Sequence, residues 1–275
     1  MNTTLKDTDI TGIFDPTLAI QEIPQTLYCS TKHLSSKLEE HPDIKEVIGL
    51  VGSGGQGKVF RTMTQINGIE QEVALKTFAP NSMTFQDSAS FQEEDADHQY
   101  SLWKNEYLKL KQLTGIGGVR QVYDIEEDFE IPFYTLDYVK GRTLEDIIQI
   151  GDHLDDPQEF QKNIKHIVEL LHTLEQVHQR DVVHRDIKPT NIIIEDETQR
   201  PFLIDFGVSR ERKYIDPSSR ISGSPAYMSE RQLENKPAYP KDDLFSVGVI
   251  LYKMVHSEGK TPLCAYKKEY DLSEA

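Results

Sequence analysis

Asp186, Asn191 and Asp205 are the residues whose types and spacing point most directly to chemistry. Asp186 and Asn191 stand five apart in His184-Arg185-Asp186-Ile187-Lys188-Pro189-Thr190-Asn191, and Asp205 follows the apolar run Phe202-Leu203-Ile204. The apolar stretches 191–194 and 202–204 flank a polar turn, 195–200, which is the pattern of a buried β-hairpin with its polar side chains where the strands stop. A loop followed by such a hairpin can bring the three side chains to one point. Mg2+ takes one or two carboxylates together with phosphate oxygens and water, and Asn191 and Asp205 can supply the protein's share. Asp186 is then left as a base, and the chemistry implied is that of a metal-bound phosphate.

The elements that must position these groups lie upstream. Val47 to Val51 reads as a strand, Gly52-Ser53-Gly54-Gly55-Gln56-Gly57 as a glycine turn, and the run from Lys58 to Ile66 as a second strand closed by Asn67-Gly68. Glycines let backbone N–H groups approach phosphates without Cβ interference. A GxGxxG turn alone also suits a dinucleotide site, but that site needs a helix after the last glycine. Lys58-Val59-Phe60-Arg61-Thr62-Met63-Thr64 continues as strand and removes that reading. Next comes Glu72-Val73-Ala74-Leu75-Lys76, an alternating strand with one lysine among apolar residues. By itself Lys76 reads as a solvated edge lysine.

Composition bounds the class. A chain of 275 residues with 37% hydrophobic and 28% charged content reads as soluble and globular. Its formal net charge of −16 argues against sequence-independent nucleic-acid binding, which depends on Lys and Arg at phosphates. Cys29 and Cys264 are the only cysteines, so no disulfide framework or cysteine zinc site is proposed. No run reaches the roughly 18 apolar residues of a membrane span, and the opening Met-Asn-Thr-Thr-Leu-Lys lacks an apolar signal core. A cytoplasmic location is the expectation. His166, His172 and His178 lie on one predicted helix, but a spacing of six does not stack them on one face, which disfavours a metal site.

In order and spacing, the glycine loop, Lys76, HRDIKPTN (184–191) and Asp205-Phe206-Gly207 resemble the eukaryotic-type Ser/Thr protein kinase family. The resemblance implies an α+β, bilobal fold, β-rich over 44–139 and mainly helical over 140–275, preceded by an extension at 1–43. It implies ATP and Mg2+, with Gly52, Ser53, Gly54, Gly55, Gln56 and Gly57 over the phosphates. Lys76 becomes the phosphate-binding lysine, which requires a carboxylate partner. Glu106, on the amphipathic run 100–113, is the candidate, with Glu93 and Glu94 as competitors in a polar stretch that reads as loop. Strands are expected over 119–125 and 131–139, the second ending in a hinge. Leu136 stands as gatekeeper, the backbone of Asp137 and Val139 meets the adenine edge, and Val59, Ala74 and Ile193 sandwich the ring. Asp186 is the base, Lys188 neutralises the transferring phosphoryl group as in the Ser/Thr class, and Asn191 and Asp205 hold the metal.

The resemblance further implies protein substrates with Ser or Thr acceptors and an activation segment over 208–228. There Arg185 can pair with a phosphate on Ser218, Ser219 or Ser222, while Ser224 lies near Asp186. Thr143 is expected to cap a short helix, Pro157 to start a long one, and Asp243 to brace the catalytic loop. The sequence departs from the family where the segment usually closes with Pro-Glu, for Glu230 and Arg231 stand in those places. The helical lobe also looks short, so Val247, Ile250, Leu251 and Met254 are expected to lack cover and to invite a partner or second subunit. Two other readings compete: a pseudokinase that binds nucleotide without turnover, and a small-molecule kinase of the aminoglycoside or choline type. The second lacks the long serine-containing segment.

Overall fold

The computed structural model describes residues 31–54, 57–78, 93–150, 157–211 and 223–255. Helix α1 (Thr31–Leu38) precedes an antiparallel sheet of β1 (Ile44–Gly54), β2 (Gly57–Ile66), β3 (Ile69–Thr77), β4 (Val122–Glu126) and β5 (Phe133–Asp137), ordered β1-β2-β3-β5-β4. Asn67 and Gly68, with φ of 52° and 80°, make the tight left-handed turn that sets the β2–β3 register at Ile66 opposite Ile69. Helix α2 (Glu93–Gln112) lies against this sheet through Trp103, whose ring stands 5.3 Å from that of Tyr134.

The second half is mainly helical, with α3 (Leu144–Ile150), α4 (Pro157–Gln179), α5 (Glu230–Leu233) and α6 (Pro240–Val255). Strand β6 (Gly141–Thr143) pairs with the hairpin β8 (Ile192–Glu195) and β9 (Pro201–Leu203), and β7 (Val182–Val183) pairs with β10 (Arg210–Glu211). The β8–β9 register sets Ile192 opposite Leu203, so the metal-ligand candidates flank one end of the hairpin. Thr143 Oγ1 accepts from the Asp146 amide at 3.1 Å, which caps α3.

Several boundaries differ from the sequence reading. β4 starts at Val122 rather than 119, because Gly118 at φ 85° turns the chain and Val119 bridges to Leu203 instead. A Cβ at Gly118 would come within 2.4 Å of Thr173 Oγ1, so the approach needs glycine. Ile131 and Pro132 precede β5, where the Pro132 carbonyl accepts from the Phe78 amide. Helix α2 begins at Glu93 within the stretch read as loop; Glu, Asp, Ala and Gln sustain a helix there without an apolar face to signal it.

Two packing findings bear on the ends of the described chain. Leu34 and Leu38 of α1 are fully buried in the main core, so part of the expected N-terminal extension is a packed element. The expectation of uncovered residues on α6 is corrected: Val247, Ile250 and Met254 are buried and Leu251 packs against the same cluster, which includes Leu170, Leu174 and Val177. The apolar side chains α6 leaves open are instead Leu244, Phe245, Tyr252 and Val255. Truncating a buried leucine forfeits burial and leaves a cavity. Leu34→Ala and Leu38→Ala are each expected to lower unfolding free energy by about 2–5 kcal/mol, measured by denaturant titration.

Candidate active site

On the sheet side, β3 carries Lys76 inward and α2 carries Glu106 toward it, and the two meet at 2.5 Å from Lys76 Nζ to Glu106 Oε2. Side-chain exposure is 12% for Lys76 and 1% for Glu106, so the pair lies beneath the surface. Asp205 Oδ1 is 3.9 Å from the same ammonium. Burial pulls the Lys76 pKa down, but the carboxylates of Glu106 and Asp205 outweigh it and leave the ammonium above its ordinary value. Asp205 sits at the open edge, its side chain half accessible. Withdrawal from water raises its pKa, while the Lys76 ammonium holds it below the usual carboxylate range. Its backbone is left-handed, φ 64°, and the Gly207 amide reaches its Oδ1 at 3.4 Å.

The side chains of Lys188 and Asn191 and the Ser224 amide converge on Asp186. Its Oδ1 accepts from the Ser224 amide at 2.9 Å, and its Oδ2 accepts from Asn191 Nδ2 at 2.9 Å and lies 2.7 Å from Lys188 Nζ. Lys188 also donates to Ser224 Oγ at 2.8 Å. Asn191 Nδ2 binds the Asp186 carbonyl at 2.9 Å as well, so Oδ1 is the atom Asn191 can offer a cation. An amide oxygen and a carboxylate oxygen form a hard donor set suited to a divalent cation that keeps water and phosphate ligands. Among the described residues, no group of three His, Cys, Asp or Glu could hold a metal ion.

What holds the loop itself is Asp243, at the start of α6 and fully buried. Its Oδ2 accepts from the His184 amide at 2.9 Å and its Oδ1 from the Arg185 amide at 2.8 Å, where Arg185 takes φ 67°. His178 Nε2 lies 2.7 Å from Oδ2. Thus one of the helix histidines serves this carboxylate, a role its spacing could not reveal. His184 accepts from the Asp186 amide through Nδ1 and so donates from Nε2 to the Ile204 carbonyl, its ring edge-on to Phe206.

In the glycine-rich stretch, Gly52 pairs with Val59 and Gly54 with Gly57. Gly55 and Gln56 lie outside the described residues, as do Ser218, Ser219 and Ser222. Register places Ala74 opposite Leu136 and Val59 opposite Lys76, while Leu136 and Val139 are buried and Ile193 is half-buried. The Asp137 side chain does more than the sequence suggested. It accepts from the Gln121 amide at 2.9 Å and from Tyr123 Oη at 2.5 Å, pinning β4 to the hinge, and burial with this bond pushes Tyr123 up to about 12.

A profile of the protein kinase domain matches residues 45–274. The chain belongs to the protein kinase domain family. It is similar to a probable serine/threonine-protein kinase of Clostridium acetobutylicum, 27% identical over 214 residues covering 77% of this chain and 29% of that protein. It is also similar to the serine/threonine-protein kinase nekl-2 of Caenorhabditis elegans, 28% identical over 221 residues, 78% of this chain and 58% of that one. A third relative, the DNA damage-responsive serine/threonine-protein kinase RqkA of Deinococcus radiodurans, is 28% identical over 217 residues, 76% and 29% of the respective chains. The chain therefore spans between 29% and 58% of the length of these relatives.

Within this kinase domain, sequence reasoning missed the half-buried Arg120 and the buried Tyr134, both close to Glu106. Their only signal is an arginine and a tyrosine in otherwise apolar strand patterns. It also missed Gln232, whose Nε2 donates to the Arg185 carbonyl at 2.8 Å. Removing the Asp243 carboxylate strips two buried amides and His178 of their acceptor. Asp243→Ala is expected to destabilise the domain by roughly 3–5 kcal/mol in chemical denaturation, the range for breaking a buried charged network.

Proposed function

We propose that the protein transfers the γ-phosphoryl group of ATP to Ser or Thr hydroxyls of protein substrates. The observation that carries this reading is the convergence of Lys188, Asn191 and Ser224 on the Asp186 carboxylate, facing the Lys76–Glu106 pair and Asp205. The transferring group and its transition state are heavily anionic, so catalysis is mainly electrostatic stabilisation and positioning. Lys76, kept cationic and oriented by Glu106, binds the phosphates. The backbone of Gly52, Ser53, Gly54 and Gly57 lies against them, and Leu136, Val139, Ala74, Val59 and Ile193 enclose the adenine. Asp186 orients the acceptor hydroxyl and takes its proton as the oxygen–phosphorus bond forms and the ADP oxygen leaves. Lys188, already on Asp186, compensates the negative charge of the transferred group. Asn191 Oδ1 and the Asp205 carboxylate would hold Mg2+, which supplies charge neutralisation to the β- and γ-phosphates when bound.

Regulation by phosphorylation forms part of the proposal. Arg185 is 3% exposed, and its Nε and Nη1 have no hydrogen-bond partner among the described residues. Burial lowers its pKa first, Arg210 adds repulsion, and Asp242 and Asp243 oppose both. Two adjacent cations, one with unused buried donors, suit a phosphate on the segment containing Ser218, Ser219 and Ser222. A cytoplasmic site of action fits the cysteine usage, and among the described residues no helix is long and apolar enough to cross a membrane.

Asp186→Asn is expected to lower phosphoryl transfer to a Ser/Thr peptide by about 10²–10⁴-fold, the range for losing a general base, with ATP affinity nearly unchanged. Asp205→Asn should instead weaken the Mg2+-dependent part of ATP binding, read by calorimetry with and without Mg2+. Wild-type turnover in Asp186→Asn would remove the assignment of the base. Mass spectrometry after incubation with Mg·ATP should find phosphate within 216–222. The Ser218→Ala, Ser219→Ala, Ser222→Ala triple variant should lose the accompanying rise in rate.

A further inference from the structure

The segment that faces the acceptor, 223–228, passes close over the catalytic loop. A Cβ on Gly223, at φ 118°, would stand 3.0 Å from the Arg185 carbonyl and 3.5 Å from Asp186 Oδ1. Such close approach is useful only if something fixes the segment from its other end, and that end runs into α5. There Ser229 and Gln232 form a reciprocal capping box. Gln232 then reaches back to the Arg185 carbonyl at 2.8 Å, and Ser246 Oγ donates to the Tyr227 carbonyl at 2.7 Å.

Asp242 ties these pieces together. It is 1% exposed; its Oδ1 accepts from Ser229 Oγ at 2.7 Å and its Oδ2 from the Tyr239 amide at 3.0 Å. Its ion-pair partner is Arg231, with Nε 3.5 Å from Oδ1, an electrostatic contact without a hydrogen bond at Nε. The Arg231 guanidinium also donates to the Pro237 carbonyl at 3.0 Å and lies 5.6 Å over the Tyr239 ring. A buried carboxylate needs a counter-charge and full hydrogen bonding to be tolerated. Arg231 provides that charge from the position where the kinase family usually carries a glutamate. In this chain the cation sits on the segment and the carboxylate on α6.

We propose that the Arg231–Asp242 pair is a positioning device for the protein acceptor, holding 223–232 on α6 so that Ser224 stays on Asp186 and Lys188. Asp243 and Asp242 are neighbours on one helical turn, so α6 holds the catalytic loop with one carboxylate and the acceptor-facing segment with the next. The pair acts through other groups, Asp242 through Ser229 and Tyr239 and Arg231 through Pro237 and Tyr239. The inference rests on the protein-kinase reading for its kinetic consequence but not for its structural one.

The test uses the full chain and Arg231→Met, which removes the charge of a side chain 41% exposed and leaves its apolar stem over Tyr239. Amide hydrogen exchange at Ser224, read without nucleotide, is expected to accelerate about tenfold as the segment opens locally. With peptide and ATP, KM for the peptide should rise several-fold while KM for ATP stays put. Arg231→Lys should recover most of both effects. Combining Arg231→Met with Asp242→Asn should add little to the larger single effect, as for two members of one interaction. Unchanged exchange at Ser224 in Arg231→Met would overturn the proposal, and so would equal increases in KM for peptide and ATP. Exchange needs no turnover, so it decides the anchor even if the wild-type chain transfers no phosphate, an outcome that would count against the kinase activity alone.

Discussion

Two backbone amides, those of His184 and Arg185, must find an acceptor inside the protein, and Asp243 is that acceptor. An unpaired buried amide costs about 1–3 kcal/mol, so the loop can hold its turn only where a carboxylate meets it. Arg185 is left-handed at φ 67°, a conformation L side chains adopt at a cost, and the two bonds to Asp243 over-determine it. Asp186, one residue on, inherits its orientation from this constraint. The sequence of α6 therefore decides the geometry of a loop some sixty residues earlier.

The site poses a charge problem that the fold solves locally. The whole chain is acidic at −16, yet the groups facing the expected phosphates include Lys76 and Lys188. Each lysine is held by a carboxylate: Lys76 by Glu106 on α2, Lys188 by Asp186 on its own loop. Such pairing fixes the direction of a flexible side chain before any anion arrives, which lowers the ordering needed at binding. It also makes the position of α2 part of the site, because Glu106 leaves with the helix.

The residues that could be read from the sequence are those whose role depends on local order. HRDIKPTN, the glycine loop, Asn67-Gly68 and the apolar strands of the β8–β9 hairpin carry their geometry in a few adjacent residues. Lys76 and Glu106 needed the strand and helix periods, and α2 proved longer than its apolar stripe because its first residues are polar helix formers. What stayed hidden was tertiary. His178, Gln232 and Asp137 look like surface polar residues until the fold sets Asp243, the Arg185 carbonyl and Tyr123 beside them. The cover of Val247, Ile250 and Met254 was likewise invisible, since α4 and β7 supply it from a distant part of the chain.

Behind the Lys76–Glu106 pair lies a second buried layer that ties the hinge strand to α2. Tyr134 is opposite Lys76 in the β3–β5 register, and burial first, then Glu106, raises its phenol well above the ordinary range, so it stays neutral. Arg120 approaches from the stretch before β4; burial lowers its pKa, while Tyr134, Glu106 and Asp205 oppose that shift. Arg120 Nε has no hydrogen-bond partner among the described residues. With Arg120 included, two cations and two carboxylates share the region, Lys76 and Arg120 against Glu106 and Asp205. Moving α2 outward would take Glu106 away from both cations at once. The inward position of α2 is thus favoured by the charge balance of this layer as well as by Trp103 packing, before any nucleotide binds.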